Sequence, residues 1–101
     1  MTQERWNELS LFEQLSNIDG DVKRLIDTKK AWDAGTAKKD YSSFYLKKIG
    51  EEIERTVSDP KNEGRGAELW DEYAELKRYE NHEVTEDYIA RYWNQYTRAI
   101  S

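Results

Sequence analysis

Ser10-Leu11-Phe12-Glu13-Gln14-Leu15-Ser16-Asn17-Ile18-Asp19-Gly20-Asp21-Val22-Lys23-Arg24-Leu25-Ile26-Asp27-Thr28-Lys29-Lys30-Ala31-Trp32 is the stretch on which the fold turns. It opens with Ser-x-x-Glu, the spacing of a capping box, in which a serine hydroxyl and a glutamate three residues on each satisfy a free backbone N–H. Leu11, Leu15, Ile18, Val22, Leu25, Lys29 and Trp32 then step by four and three, with Phe12 and Ile26 widening the stripe. That spacing is one face of a helix. Gly35 follows Ala34 as a natural C-terminal stop, and Lys29 and Lys30 complement the negative end of the helix dipole. Asp19-Gly20-Asp21 resembles a turn, and an interior glycine costs up to about 1 kcal/mol relative to alanine. The register runs through it unbroken, so one helix is expected over 10–34, bent at most at Gly20, where a missing side chain would let a neighbouring helix come close.

Three more helical segments follow. Tyr41, Phe44, Tyr45, Leu46, Ile49, Ile53 and Val57 mark a helix over 38–57, stopped by Ser58-Asp59-Pro60. After the loop 61–66, Leu69, Trp70, Tyr73, Leu76 and Tyr79 share one side of a helix over 67–80. Thr85 caps the last, 85–100, with Val84 placed to staple against Ile89 and a stripe of Tyr92, Trp93, Tyr96 and Ile100. No alternating strand pattern or internal repeat interrupts this series. The expected fold is all-α, a single-domain up-and-down bundle of four helices over residues 1–101, or three if the last two fuse. Residues 1–9 lie outside the stripes and are expected to be flexible or folded back as a lid.

Composition tests that reading. Leu, Ile, Val and Phe together number 18 of 101 residues, below the roughly 20% under which charged chains tend to stay disordered, and 37% of residues are charged. Four Trp and seven Tyr make up the missing area, because each ring buries on the order of 150–250 Å². The core is therefore expected to be thin and aromatic, with Trp32, Trp70, Tyr73, Tyr92, Trp93 and Tyr96 in it. Absence of cysteine removes disulfides, thiolate metal sites and a Cys nucleophile, and makes the cytoplasm the default compartment. No apolar run approaches the ~18 residues that span a bilayer, so no membrane association is expected.

Leu9-Ser10-Leu11-Phe12-Glu13-Gln14-Leu15-Ser16-Asn17-Ile18, with Val22-Lys23-Arg24 and later Asp59-Pro60 and Arg65, resembles a scattered group of small bacterial helical proteins that open on Ser-Leu-x-x-Gln-Leu-x-x-Ile. At 18–22 this chain reads Ile-Asp-Gly-Asp-Val where that group has Ile-Gly-Ser-Glu-Val. The resemblance implies a helical fold and a bacterial or phage origin, and carries no catalytic residue and no activity.

Catalytic chemistry is sparse in the residues themselves. His82 is the single histidine, and three residues before it stands Tyr79 and not Glu, so paired-His zinc sites and Glu-x-x-His di-iron motifs are excluded and a Ser-His-Asp arrangement would have to use this one residue; no metal or cofactor is expected. Beside Glu80 and Glu83 it could act as a lone general base, although an exposed loop histidine is the preferred reading. Glu68, Asp71, Glu72 and Glu75 fall at i, i+3, i+4 and i+7, one edge of the third helix, as an acidic contact face or a solvated one. Neither these four nor the run Glu51, Glu52 and Glu54 has a surrounding pattern that would raise a pKa for acid–base work.

The charge is unevenly spread. Net charge is -5, yet residues 22–50 carry eight Lys and Arg against three Asp. A hairpin of the first two helices would display Lys29, Lys30, Lys38 and Lys39 at its tip as a basic contact patch. Trp6, ahead of the first long helix, is either a residue of the folded-back lid or an exposed aromatic anchor. The expectation is a non-catalytic interaction module that binds a protein partner or itself. The alternative is a nucleic-acid-associated accessory or phage-type inhibitor protein that uses the lysine cluster.

Overall fold

The capping box at Ser10 is formed: in the computed structural model, which describes residues 1–97, Ser10 Oγ accepts from the Glu13 N–H at 3.1 Å and Glu13 Oε1 accepts from the Ser10 N–H at 3.0 Å. The described residues hold five α-helices and no strand: α1 Gln3–Asn7, α2 Leu11–Asp33, α3 Ser42–Ser58, α4 Gly66–Glu80 and α5 Glu86–Thr97. A 3-10 turn, Pro60–Asn62, follows α3. The end of the last expected helix, with Ile100, lies outside the described residues.

Helix α2 passes through Asp19-Gly20-Asp21 uninterrupted, because both aspartates find cations: Lys23 reaches Asp19 at 3.2 Å, and Arg24 and Lys48 reach Asp21 at 3.0 and 3.3 Å. No neighbouring helix closes on Gly20, where an added Cβ would meet only Arg24 Nη1, at 3.4 Å. The helix ends in a Schellman motif. Gly35 takes φ +74, its N–H bonds the Trp32 carbonyl at 3.0 Å and the Thr36 N–H bonds the Ala31 carbonyl at 2.9 Å.

Helix α3 begins at Ser42, four residues later than the periodicity suggests. The carboxylate of Asp40 accepts from the Ser42 N–H at 2.9 Å and from its hydroxyl at 2.5 Å, which fixes the start there and leaves Lys38 and Lys39 in the preceding loop. Helix α4 also closes with a Schellman pair, His82 N–H to Tyr79 at 3.0 Å and Glu83 N–H to Arg78 at 2.8 Å, with His82 itself at φ 64. His82 is thus the left-handed stop of a helix. Thr85 Oγ1 accepts from the Tyr88 N–H, and Val84 and Ile89 pack into the same core.

Cross-helix contacts close a ring in which neighbours run antiparallel. Thr28 meets Tyr41 and Gln14 meets Asp59 along α2 and the α3 connection; Leu46 meets Tyr73 and Val57 meets Gly66 across α3 and α4. Glu68 meets Tyr92 across α4 and α5, and Lys30 meets Glu86 and Ser16 meets Tyr96 across α2 and α5. Inside lie Leu15, Ile18, Val22, Leu25, Ile49, Ile53, Leu69, Leu76, Ile89 and Trp93.

The aromatic share of that core differs from expectation. Trp6, Tyr79, Trp93 and Tyr96 are buried, while Trp32 is 46% exposed, Trp70 is 37% exposed, and Tyr73 and Tyr92 are half-buried. A stripe that repeats every seven residues drifts by about 20° per heptad on an α-helix, so after three heptads Trp32 has rotated out of the interface. Lys29, on the same stripe, is only 6% exposed, with its Nζ 3.1 Å from His82 Nε2 and 3.8 Å from Asp33.

Trp6 is 3% exposed, so it is a core residue of the folded-back segment and not an exposed anchor. Its indole N–H donates to Thr56 Oγ1 at 3.0 Å and its carbonyl accepts from Gln14 Nε2 at 2.8 Å. Gln14 Nε2 also donates to Asp59, and Asn62 Nδ2 donates to Gln14 Oε1 at 2.8 Å and to the Thr56 carbonyl at 2.9 Å. Lys61 reaches both Asp59 and the Asn7 carbonyl. These buried polar groups satisfy one another, which is the condition for such a network to be tolerated in a core.

Candidate functional site

Two of the charged surfaces read from sequence are largely neutralised by their neighbours. At the α2–α3 tip Lys29 is buried, Lys30 is exposed but pairs with Glu86 at 3.2 Å, and Lys38 and Lys39 are exposed, next to Asp40 in the chain. Trp32 and Tyr41 are exposed at the same tip. On α4 the four carboxylates do share an edge, but Glu68 is held by Arg65 at 2.9 and 3.2 Å and by the Tyr92 hydroxyl at 3.0 Å, and Glu75 by Arg78 at 3.1 and 3.2 Å. Hydrogen bonding to Arg65 lowers the pKa of Glu68, whereas burial, then Glu75, Glu68 and Asp71, raise that of Glu72. No cluster of three or more His, Asp or Glu suited to a metal ion occurs among the described residues.

The concave surface lies elsewhere, on the outer side of α3. Between α3 and α4 runs a groove of about 590 Å³ whose walls include Lys47, Glu51, Arg55, Trp70 and Tyr73, with Gly50 at its base. Tyr73 is fixed across that base: its hydroxyl donates to the Leu46 carbonyl at 3.1 Å, and its ring stacks edge-on with Trp70 at 5.6 Å. A side chain at position 50 would stand 3.0 Å from the Tyr73 oxygen, so glycine is what lets the ring lie there. A smaller depression at Phe44, Lys47, Lys48 and Glu51 adjoins the groove, and Phe44 is 60% exposed.

A second hollow, of about 480 Å³, opens on the α2 side of the same helix. Asp21 and Glu52 meet there across the α2–α3 seam, both buried, with Arg24, Lys48 and Arg55 around them. Burial, then a hydrogen bond to Asp21 and the charge of Asp21, push the pKa of Glu52 up to about 9, against weaker pulls from Lys48 and Arg55. Burial alone would also raise Asp21, but the hydrogen bond to Glu52 and the cations Lys48 and Arg24 outweigh it and leave the group below its usual range. One proton is therefore shared by two carboxyl groups at neutral pH.

Glu52, and more mildly Glu72, correct the expectation that no carboxylate of the two acidic runs has an environment that raises its pKa. The signal was present in the spacing: Asp21 stands three residues after Ile18 and four before Leu25, and Glu52 three after Ile49 and four before Thr56, so each lies on a core-facing edge. Which edge each would meet is a property of the packed bundle. His82, by contrast, borders neither hollow. Comparison with protein-family models, curated proteins and solved structures finds no match to this chain.

Proposed function

We propose that the chain is a small up-and-down four-helix bundle, clasped by α1, that works without catalysis by binding a protein partner through the outer face of α3 and the α3–α4 groove. The observation that carries this reading is a pair of exposed aromatics on one face: Trp70 in the groove shaped by Tyr73 and Gly50, and Phe44 in the smaller depression that shares Lys47 and Glu51 with it. Aromatic side chains in such positions supply most of the binding energy of many protein interfaces. Lys47, Glu51, Glu54 and Arg55 around them form the polar rim that such an interface uses for register. A bacterial origin rests on the opening at Ser10–Ile18, and a cytoplasmic setting on the cysteine-free composition.

A second reading, nucleic-acid contact at the α2–α3 tip, gains from the exposure of Trp32 and Tyr41 next to Lys38 and Lys39, since rings beside lysines suit stacking on single strands. Asp33, Asp40 and Glu86 at that tip weigh against it. Photo-crosslinking residues placed singly at positions 44, 70, 32 and 88 in cells that make the protein separate the two. A discrete protein adduct from positions 44 and 70 and none from 88 is expected. Adducts from position 32 alone, above all to nucleic acid, would reject the α3–α4 reading.

A further inference from the structure

Helix α3 carries a second stripe besides the one that faces the core. Phe44, Lys47, Glu51 and Glu54 step by three, four and three along its outer side, and all four are exposed. Lys47, Glu51 and Glu54 form no ion pair among the described residues, whereas Lys48 beside them is engaged by Asp21 at 3.3 Å. From its N-terminal end this stripe reads apolar, basic, acidic, acidic, an order that complements itself when the helix is turned end for end. We infer that the partner of this face is a second copy of the chain, docked about a two-fold axis with the two α3 helices antiparallel and centred on Ile49. The inference rests on the outer face of α3 being the working surface, and names what occupies it.

Charge selects the register. A two-fold contact uses one patch on both copies, so it must be complementary to itself. Centring the pair on Ile49 sets each Lys47 opposite Glu51 of the other copy, two ion pairs in all. Moving the centre to Glu51 opposes the two Glu51 side chains and sets Lys47 against Arg55, and moving it between Lys47 and Lys48 opposes those lysines. The favoured register also brings Phe44 of the second copy level with Glu54. Trp70 stands at that height, because Val57 faces Gly66 and Gly50 faces Tyr73, which places Trp70 opposite Ile53 along the antiparallel α3–α4 pair. Each Phe44 therefore arrives at the mouth of the other copy's groove. By the same alignment the axis crosses α4 at Ala74, an exposed small side chain that leaves room for close approach. With 17 residues α3 is ~25 Å long, and with α4 beside it the face covers roughly 500 Å² per copy against about 800 Å² for a standard interface, so the dimer is weak and separates on dilution.

Sedimentation equilibrium of the full chain between about 1 μM and 1 mM tests the assignment. Reversible association to twice the mass of one chain is expected. Lys47→Glu alone and Glu51→Lys alone should each weaken it at least tenfold, and a 1:1 mixture of the two variants should recover it, because every reversed side chain then meets an opposite charge. Both positions are exposed, so the variants keep the parent's helix content by circular dichroism. Lys38→Glu, at the α2–α3 tip, should leave association unchanged. A chain that stays monomeric throughout, a dimer indifferent to both reversals, or a mixture that fails to recover would overturn the second copy as partner. The face itself is judged separately: crosslinks from positions 44 and 70 to a different protein would overturn the second copy and leave the face standing, whereas no crosslink there would reject both.

Discussion

Trp6→Ala is expected to lower the free energy of unfolding by about 3–5 kcal/mol, the range for removing a large buried aromatic side chain. Domains of this size are stable by only about 5–15 kcal/mol, so the variant should melt well over 10 °C below the parent or fail to fold. The loss has two sources. The ring is 3% exposed in the core, and its N–H and carbonyl hold Thr56 and Gln14, through which Asp59 and Asn62 are tied to α1. Urea denaturation measures it, and a loss below about 1 kcal/mol would show α1 to be dispensable to the bundle.

Glu52→Gln is expected to do the reverse at alkaline pH, and to flatten the pH dependence of stability. In the folded chain the Glu52 carboxyl keeps its proton up to about pH 9, whereas the unfolded chain releases it near 4.5. Between those values the folded state binds the extra proton, so stability falls as pH rises, by at most about 1.4 kcal/mol per unit, and levels off above the folded value. Asp21 acts in the opposite sense. Its lowered pKa contributes stability above 3.8 that is lost as the pH falls through the folded value. The pair is therefore most favourable near about pH 4–5. Glutamine preserves the shape and the bond to Asp21 with no proton to lose, so the variant should exceed the parent at pH 8 by about 2 kcal/mol or more and match it closely at pH 5. Parallel denaturation curves at the two pH values for parent and variant would remove the acid pair from the account.

Local chemistry accounts for what was legible in the sequence. The capping box at Ser10, the stop at Gly35 and the cap at Thr85 are satisfied within a few residues of chain, so their signals survive into the structure. Features that depend on a partner helix were harder to read. Lys29 and Trp32 occupy one stripe, yet Lys29 is covered beside His82 while Trp32 emerges at the helix end. Trp6 sits in a five-residue helix, too short for periodicity to mark a face, and is buried through bonds to Gln14 and Thr56. Asp21 and Glu52 each fall at core-edge spacing in the sequence, but spacing within one helix does not say what that edge meets. What distinguishes them is that α2 and α3 bring them against each other.

The outer face of α3 as the working surface is the claim on which the functional account rests, and hydroxyl-radical footprinting of aromatic side chains tests it most directly. The protein is labelled once purified and once in the cells that make it, and the modification of Phe44, Trp70, Trp32 and Tyr88 is compared by mass spectrometry. All four are exposed in the isolated chain. Protection of Phe44 and Trp70 in the cell, with Trp32 and Tyr88 unchanged, is the result the account predicts; equal modification of Phe44 and Trp70 in both settings, or protection at Trp32 alone, would contradict it.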